Sequence, residues 1–293
     1  MDKRFTTKMQ LEDLTLLDRF LFSETIEDPR NLQIILEIIL GKEVLLKYLP
    51  QPEKEQKKSP LYRYIRLDVW SEDIAHTVYD VEVQKKDTRN LPRRSRFYQS
   101  LMDGRLLKPG ENDFNQLKDV CLIIIAPFDI FGYEKYQYTF EMRCREVPEL
   151  AMEDRALRIF LNTHGKNPEE VSPELVELLD YMEHSNQKAS ASYQSSRVRE
   201  LQKNVNTIVE NEEMGVRFMQ AWEELLLERQ EGREEGLQLG RQEGLQLGRQ
   251  EGVQLLLKNK IKKKLQKGQS VEQIAEALEE APERIQQLID EIT

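Results

Sequence analysis

Apolar positions in the first fifty residues recur at helical spacing. In "LEDLTLLDRFLFSET" leucine and phenylalanine return every three or four positions, so residues 8–49 read as helical. Asp28 and Pro29 open a second helix, "NLQIILEIILG", with Gly41 as its stop. Residues 50–60, "PQPEKEQKKSP", are polar and proline-marked, which predicts a loop. The period then changes to two. "LYRYIRLDVW" and "HTVYDVEVQ" alternate as half-buried strands do, and "DVCLIIIAPF" is a continuous apolar run suited to a strand covered on both faces. Between the second and third strands, Ser95 to Leu107 predicts a helix ending at Lys108-Pro109-Gly110. "KYQYTFEMRC" and "ALRIFLN" predict two further strands. This order describes an α/β core over residues 8–165.

Beyond the core the pattern is helical over residues 166–230, ending in "QAWEELLLERQEG". The octad "GLQLGRQE" then fills Gly236 to Glu243 and again Gly244 to Glu251, and glycine recurs every fourth residue from Gly232 to Gly252. Six interior glycines cost a helix about 6 kcal/mol relative to alanine. Either a partner helix packs on the glycine stripe, or residues 231–254 are a spacer. Glycine at this spacing marks membrane dimers when the helix is apolar, but here Arg, Gln and Glu fill the gaps. The expected role is a tether with weak self-association, giving a homo-oligomer through the C-terminal helices, and repeat expansion in the gene, which requires no function, is the alternative. Residues 255–293 hold a lysine-rich helix and two short helices with a helix-turn-helix look, Ser270 capping the first and Pro282 starting the second. The second helix sets Arg284 and two glutamines against Glu283, Asp290 and Glu291. That is a poor donor set for base edges, so a packing or oligomerisation module is favoured. The six lysines of "KNKIKKKLQK" either add nonspecific DNA affinity or form a solvated face.

Composition narrows the class. Charged residues make up 33% of the 293, above the usual ~25%, as expected of solvated helices. The net charge of -10 argues against a general nucleic-acid coat protein, although binding follows the local field rather than the total. Cys121 and Cys144 form no C-x-x-C pair, which points to a reduced, cytoplasmic protein. The three histidines share no ligand spacing, so zinc is not expected. "MDKRFTTKMQ" lacks the apolar stretch of a signal peptide. No run of ~18 apolar residues predicts a membrane span.

The candidate chemistry lies where carboxylates interrupt strand patterns. Alternation places Asp80, Glu82 and Gln84 on one face and Val81 and Val83 on the other. Asp68 ends the preceding alternation, and a short turn would return it beside Glu82. Buried carboxylates require a positive partner. Two carboxylates and a backbone carbonyl form an oxygen-only ligand set that suits Mg²⁺ or Mn²⁺, ions that activate water and stabilise charge on a phosphodiester. The same alternation also fits an ordinary strand with one face in water. Residues 85–108 then carry Lys85, Lys86, Arg89, Arg93, Arg94, Arg96, Arg105 and Lys108 against Asp87 and Asp103, a local balance of +6. A basic helix following the carboxylate strand would set phosphate contacts beside the ion. A solvated basic face is the plain alternative.

Taken together, "LLDRFLFSETIEDP", "RLDVW" (66–70), "YDVEVQ" (79–84), "RRSRFYQSLMDGRLLKPG" (93–110) and "APFDIFG…YQYTF" (126–140) resemble the bacterial recombination-promoting nuclease and transposase family, a branch of the PD-(D/E)XK nucleases. The resemblance covers roughly residues 10–190. It implies a restriction-endonuclease-like core, a mixed sheet flanked by helices, with an all-helical C-terminal extension. It further implies a metal-dependent DNA endonuclease linked to recombination or mobile elements. Asp68 and Glu82 would bind the ion, the Val83 carbonyl would complete the set, and Asp18 would be an auxiliary ligand or a helix-surface acid. Gln84 stands where the superfamily has lysine. It cannot act as a base and can only orient a water or a phosphate oxygen, while Lys86 could supply part of the charge. Arg94, Arg96 and Tyr98 match a helix motif read as phosphate-facing, with Lys85, Lys86 and Arg93 beside it, and Tyr98 fits the core equally well. The alternative is a non-catalytic DNA-binding or self-assembling module that keeps the fold.

Overall fold

A computed structural model describes residues 10–47, 51–56, 65–107, 110–186 and 193–292, without the side chains of 51–56 and 65–70. The expected single helical run at the start is divided. A 3-10 turn at Leu11–Asp13 precedes α1 (Arg19–Ile26). The break falls at Asp18, whose backbone is extended and whose carboxylate accepts from the Thr15 amide at 2.8 Å. A side chain that bonds the backbone locally competes with helix in this way. The second helix, α2 (Pro29–Leu40), follows its sequence signals. Asp28 accepts from the Arg30 amide at 2.9 Å, and Gly41 ends the helix at φ 63°.

Six strands follow among the described residues: β1 (Gln51–Gln56), β2 (Ile65–Glu72), β3 (Val78–Val83), β4 (Val120–Ala126), β5 (Gln137–Phe140) and β6 (Ala156–Asn162). They form one mixed sheet in the order β1-β2-β3-β4-β6-β5. β3, β4 and β6 are parallel, and the remaining pairs are antiparallel. β1 corrects the loop expected over 50–60. An edge strand pairs through its backbone and needs no apolar alternation, so the usual signal was missing. The β2–β3 ladder runs from Trp70↔Asp80 to Glu72↔Val78, so β2 continues four residues past Asp68 and the turn lies at 73–77. Asp73 organises that turn, accepting from the Thr77 amide and the Tyr79 hydroxyl at 2.8 Å each. Residues 61–64 of the predicted strand "LYRYIRLDVW" lie outside the described residues.

The chain crosses from β3 to β4 through α3 (Leu91–Leu106). Leu91, Tyr98 and Met102 of α3 pack on Val78, Val120, Leu122, Ile124 and Phe160. Val78 therefore faces α3, and with a side-chain period of two Asp80 and Glu82 face it also. Tyr79, Val81 and Val83 point to the other side, and every residue of β3 is buried. β4, wholly apolar and wholly buried, is the central strand the sequence predicts.

Helices α4 (Pro173–His184) and α5 (Ser196–Val209) pack with α1 and α2. Arg30 reaches Glu200 through two nitrogens at 2.9 and 3.1 Å, and Asn204 donates to Asn31 at 2.7 Å. The next helix, α6 (Glu212–Leu265), enters a second compact unit that spans Gln220–Thr293. Within that unit α6 runs through all six repeat glycines, and among the described residues no atom beyond the helix's own backbone lies within 4 Å of where a Cβ would stand. α7 (Val271–Leu278) and α8 (Pro282–Asp290) enclose a small core of Ile261, Ile274, Ala275, Ile285 and Leu288. Ser270 and Gln273 form a capping box at the start of α7.

Burial makes the two thiols unequal. Cys121 is sealed in β4, and loss of solvent pushes its thiol up to about 12, whereas Cys144 is partly exposed. At pH 8 a thiol reagent should modify one cysteine per native chain rapidly. The second should react only on unfolding, because only the thiolate is the nucleophile. Two fast equivalents would overturn the placement of β4.

Candidate active site

Glu82 lies near the C-terminal end of β3, on the face covered by α3, with no exposed surface. Gln84 and Arg94 are among the groups that approach it. Gln84 Nε2 donates to Glu82 Oε2 at 3.2 Å, and Arg94 Nη2 stands 3.7 Å from the same oxygen. Gln84 is placed by its amide, which remains tied to the Ile125 carbonyl at 2.8 Å just past the strand. Arg94 is placed by the first turn of α3 and lies over the Tyr98 ring at 5.4 Å. Asp80, also fully buried, shares the face two residues earlier. The sequence suggested a cleft lined by polar side chains. The structure instead roofs that face with a helix, so both carboxylates are shut off from bulk water.

Asp68 belongs to β2, and its side chain lies outside the described residues. Its backbone register is informative. Trp70 pairs with Asp80 in the last rung of the β2–β3 ladder, two residues along β2 from position 68. The β2–β3 ladder stops at Trp70↔Asp80, so among the described residues Val81 to Val83 have no ladder pair on the β2 side.

The other sequence candidates divide into two groups. Asp18 and Lys85 are partners: Lys85 Nζ lies 2.7 and 2.6 Å from the two Asp18 oxygens. Tyr98 is in the core beneath Arg94. Lys86, Arg93 and Arg96 are exposed around the start of α3. Arg158 escaped sequence reading. Its Nε donates to Gln99 Oε1 at 2.6 Å, and burial pushes its guanidinium pKa down. An arginine within the apolar strand "ALRIFLN" was the available signal.

Among the described residues no group of three His, Cys, Asp or Glu side chains is gathered as a metal site. The donor chemistry nevertheless fits a hard divalent ion at Glu82. The carboxylate has no exposed surface, its neighbour Gln84 adds an amide oxygen, and among the described residues no cluster of sulfur or imidazole ligands is gathered. A cavity of about 400 Å³ opens at the other end of the parallel strands, among Lys42, Tyr79, Cys121, Met142 and Arg155. It shares no residue with the Glu82 cluster. No helix among the described residues is long and apolar enough to cross a membrane.

A family model described as a PD-(D/E)XK nuclease family transposase matches residues 17–230, more than half of the chain. No curated protein and no solved structure matches it.

Proposed function

We propose that this chain, which belongs to the PD-(D/E)XK nuclease family transposases, is a metal-dependent DNA endonuclease that hydrolyses phosphodiester bonds in recombination or mobile-element traffic. The observation that carries this reading is Glu82. It is a fully buried carboxylate at a strand end, with Arg94 and Gln84 against it and exposed cations on the adjoining helix. Asp68, Glu82 and the Val83 carbonyl would hold Mg²⁺ or Mn²⁺. Bound there, the ion supplies Lewis-acid stabilisation of charge on the phosphodiester.

The chain's own groups have separate tasks. Lys86, Arg93 and Arg96 attract the DNA backbone, a sequence-independent and salt-sensitive attraction. Gln84 offers one amide to hold Glu82 and its oxygen to orient a water. Tyr98 and the apolar face of α3 exclude solvent, which strengthens every charge interaction inside. The Lys85–Asp18 pair fixes the loop after β3 to the start of α1. The octad leucines, including Leu237, Leu239, Leu245 and Leu247, are exposed on α6, and they support a second copy of the chain as a further partner.

The test is nicking of supercoiled plasmid by the full chain with Mg²⁺, with Mn²⁺ and with EDTA. Cutting that requires the ion supports the reading. A second reading, a DNA-binding module without chemistry, draws on Gln84, because an amide cannot take a proton. It predicts DNA binding insensitive to EDTA and no cutting with either ion.

A further inference from the structure

Arg94 is held differently from the other site cations. Lys85 closes on Asp18 at hydrogen-bond distance, and Arg158 closes on Gln99. Arg94 stops 3.7 Å from Glu82, within ion-pair range but beyond a normal hydrogen bond. Its Nε and Nη2 are screened from solvent and donate no hydrogen bond among the described residues. Its guanidinium rests on the Tyr98 ring, a contact that tolerates sliding. Buried donors without acceptors are costly, and the cost is relieved when an acceptor arrives. A phosphate oxygen is the acceptor that a planar guanidinium matches best.

We propose that Arg94 is an exchangeable counter-ion that couples divalent-ion loading to DNA binding, an inference that rests on the nuclease reading above. Without DNA the guanidinium neutralises Glu82 and opposes a divalent cation there. A DNA phosphate draws the guanidinium off Glu82 and removes its positive charge from beside the carboxylate. Metal and DNA then bind with positive coupling, which is reciprocal by linkage. The device keeps the site unloaded until substrate is present.

The test uses the full chain and Mn²⁺ alone as probe, by calorimetry without DNA, beside duplex binding by fluorescence anisotropy in EDTA. Arg94→Met, which keeps the packing on Tyr98, should bind Mn²⁺ about tenfold more tightly and DNA about tenfold more weakly. Arg94→Gln should shift both in the same directions, and it decides the matter if Arg94→Met does not fold. A merely structural arginine would lower the melting temperature and weaken both affinities. Unchanged or weaker Mn²⁺ binding in a folded variant overturns the proposal. Glu82→Gln separates the two failures. If it binds Mn²⁺ like wild type, the ion is not at Glu82 and the nuclease reading falls together with this inference. If Mn²⁺ binding needs Glu82 but ignores Arg94, only the counter-ion role is overturned.

Discussion

Glu82→Gln should abolish metal-dependent plasmid cutting, by at least about 10³-fold, while leaving the fold intact. The magnitude follows from the role assigned to the carboxylate. A ligated ion supplies several kcal/mol of charge stabilisation, and each ~1.4 kcal/mol is tenfold in rate. Glutamine is the informative replacement because it keeps the volume of a side chain with no exposed surface. Alanine would also leave a cavity and strand Arg94 beside it, confounding chemistry with stability. Asp68→Asn should lose cutting to a similar degree, as the ligand role proposed for Asp68 requires. The measurement is the initial nicking rate in Mg²⁺ beside a thermal melt. A Glu82→Gln protein that melts normally and retains a tenth of the rate would remove Glu82 from the site.

Gly165→Ala should cost stability on the order of 3 kcal/mol, with a fall in Tm on the order of 10 °C. A Cβ at position 165 would stand 2.4 Å from Tyr136 Cγ, 2.5 Å from its amide nitrogen and 2.6 Å from its Cα. Two of these atoms are backbone, so no rotamer change relieves the clash. The surrounding chain cannot yield without loss. Lys166 donates to the Glu134 carbonyl at 2.7 Å, Asn162 to the Tyr136 carbonyl at 2.9 Å, and the Tyr136 amide to Asn167 at 2.8 Å. These bonds tie the segment before β5 to the end of β6 and the loop that follows it. The same substitution at Gly240 should have the opposite sign. That residue is helical, and among the described residues nothing beyond its own helix backbone stands within 4 Å of its Cβ position, so alanine should stabilise α6 by roughly 1 kcal/mol. Urea unfolding followed by circular dichroism reads both. Equal effects at the two positions would contradict the packing described for Gly165.

What the sequence revealed was what local signals carry. The ends of α2 were legible because Asp28, Pro29 and Gly41 each act on their own neighbours. β4 was legible because a strand covered on both faces is apolar throughout. β1 was not, because an edge strand records itself in backbone pairing alone. The Asp18–Lys85 pair joins residues 67 apart, and no periodicity encodes which distant charges meet. The position of Arg94 depends on how α3 is rotated over the sheet, which hydrophobic spacing fixes only to about one residue. The alternation of β3 suggested a wet face. It was covered instead, because Leu91, Tyr98 and Met102 lay a helix across it, a tertiary fact absent from the strand's own pattern.

The central position of β4 also bears on how the chain is made. Val120–Ala126 needs β3 on one side and β6 on the other, and β6 begins at Ala156. At ~5–20 residues per second, the ribosome takes roughly two to seven seconds to supply it. Throughout that interval "VCLIIIA" is a seven-residue, uncharged, proline-free segment with one edge unpaired, the composition from which intermolecular cross-β stacks grow. Slowed elongation between residues 126 and 156 should therefore raise the fraction of nascent protein lost to inclusion bodies, even though the finished sheet hides that strand completely.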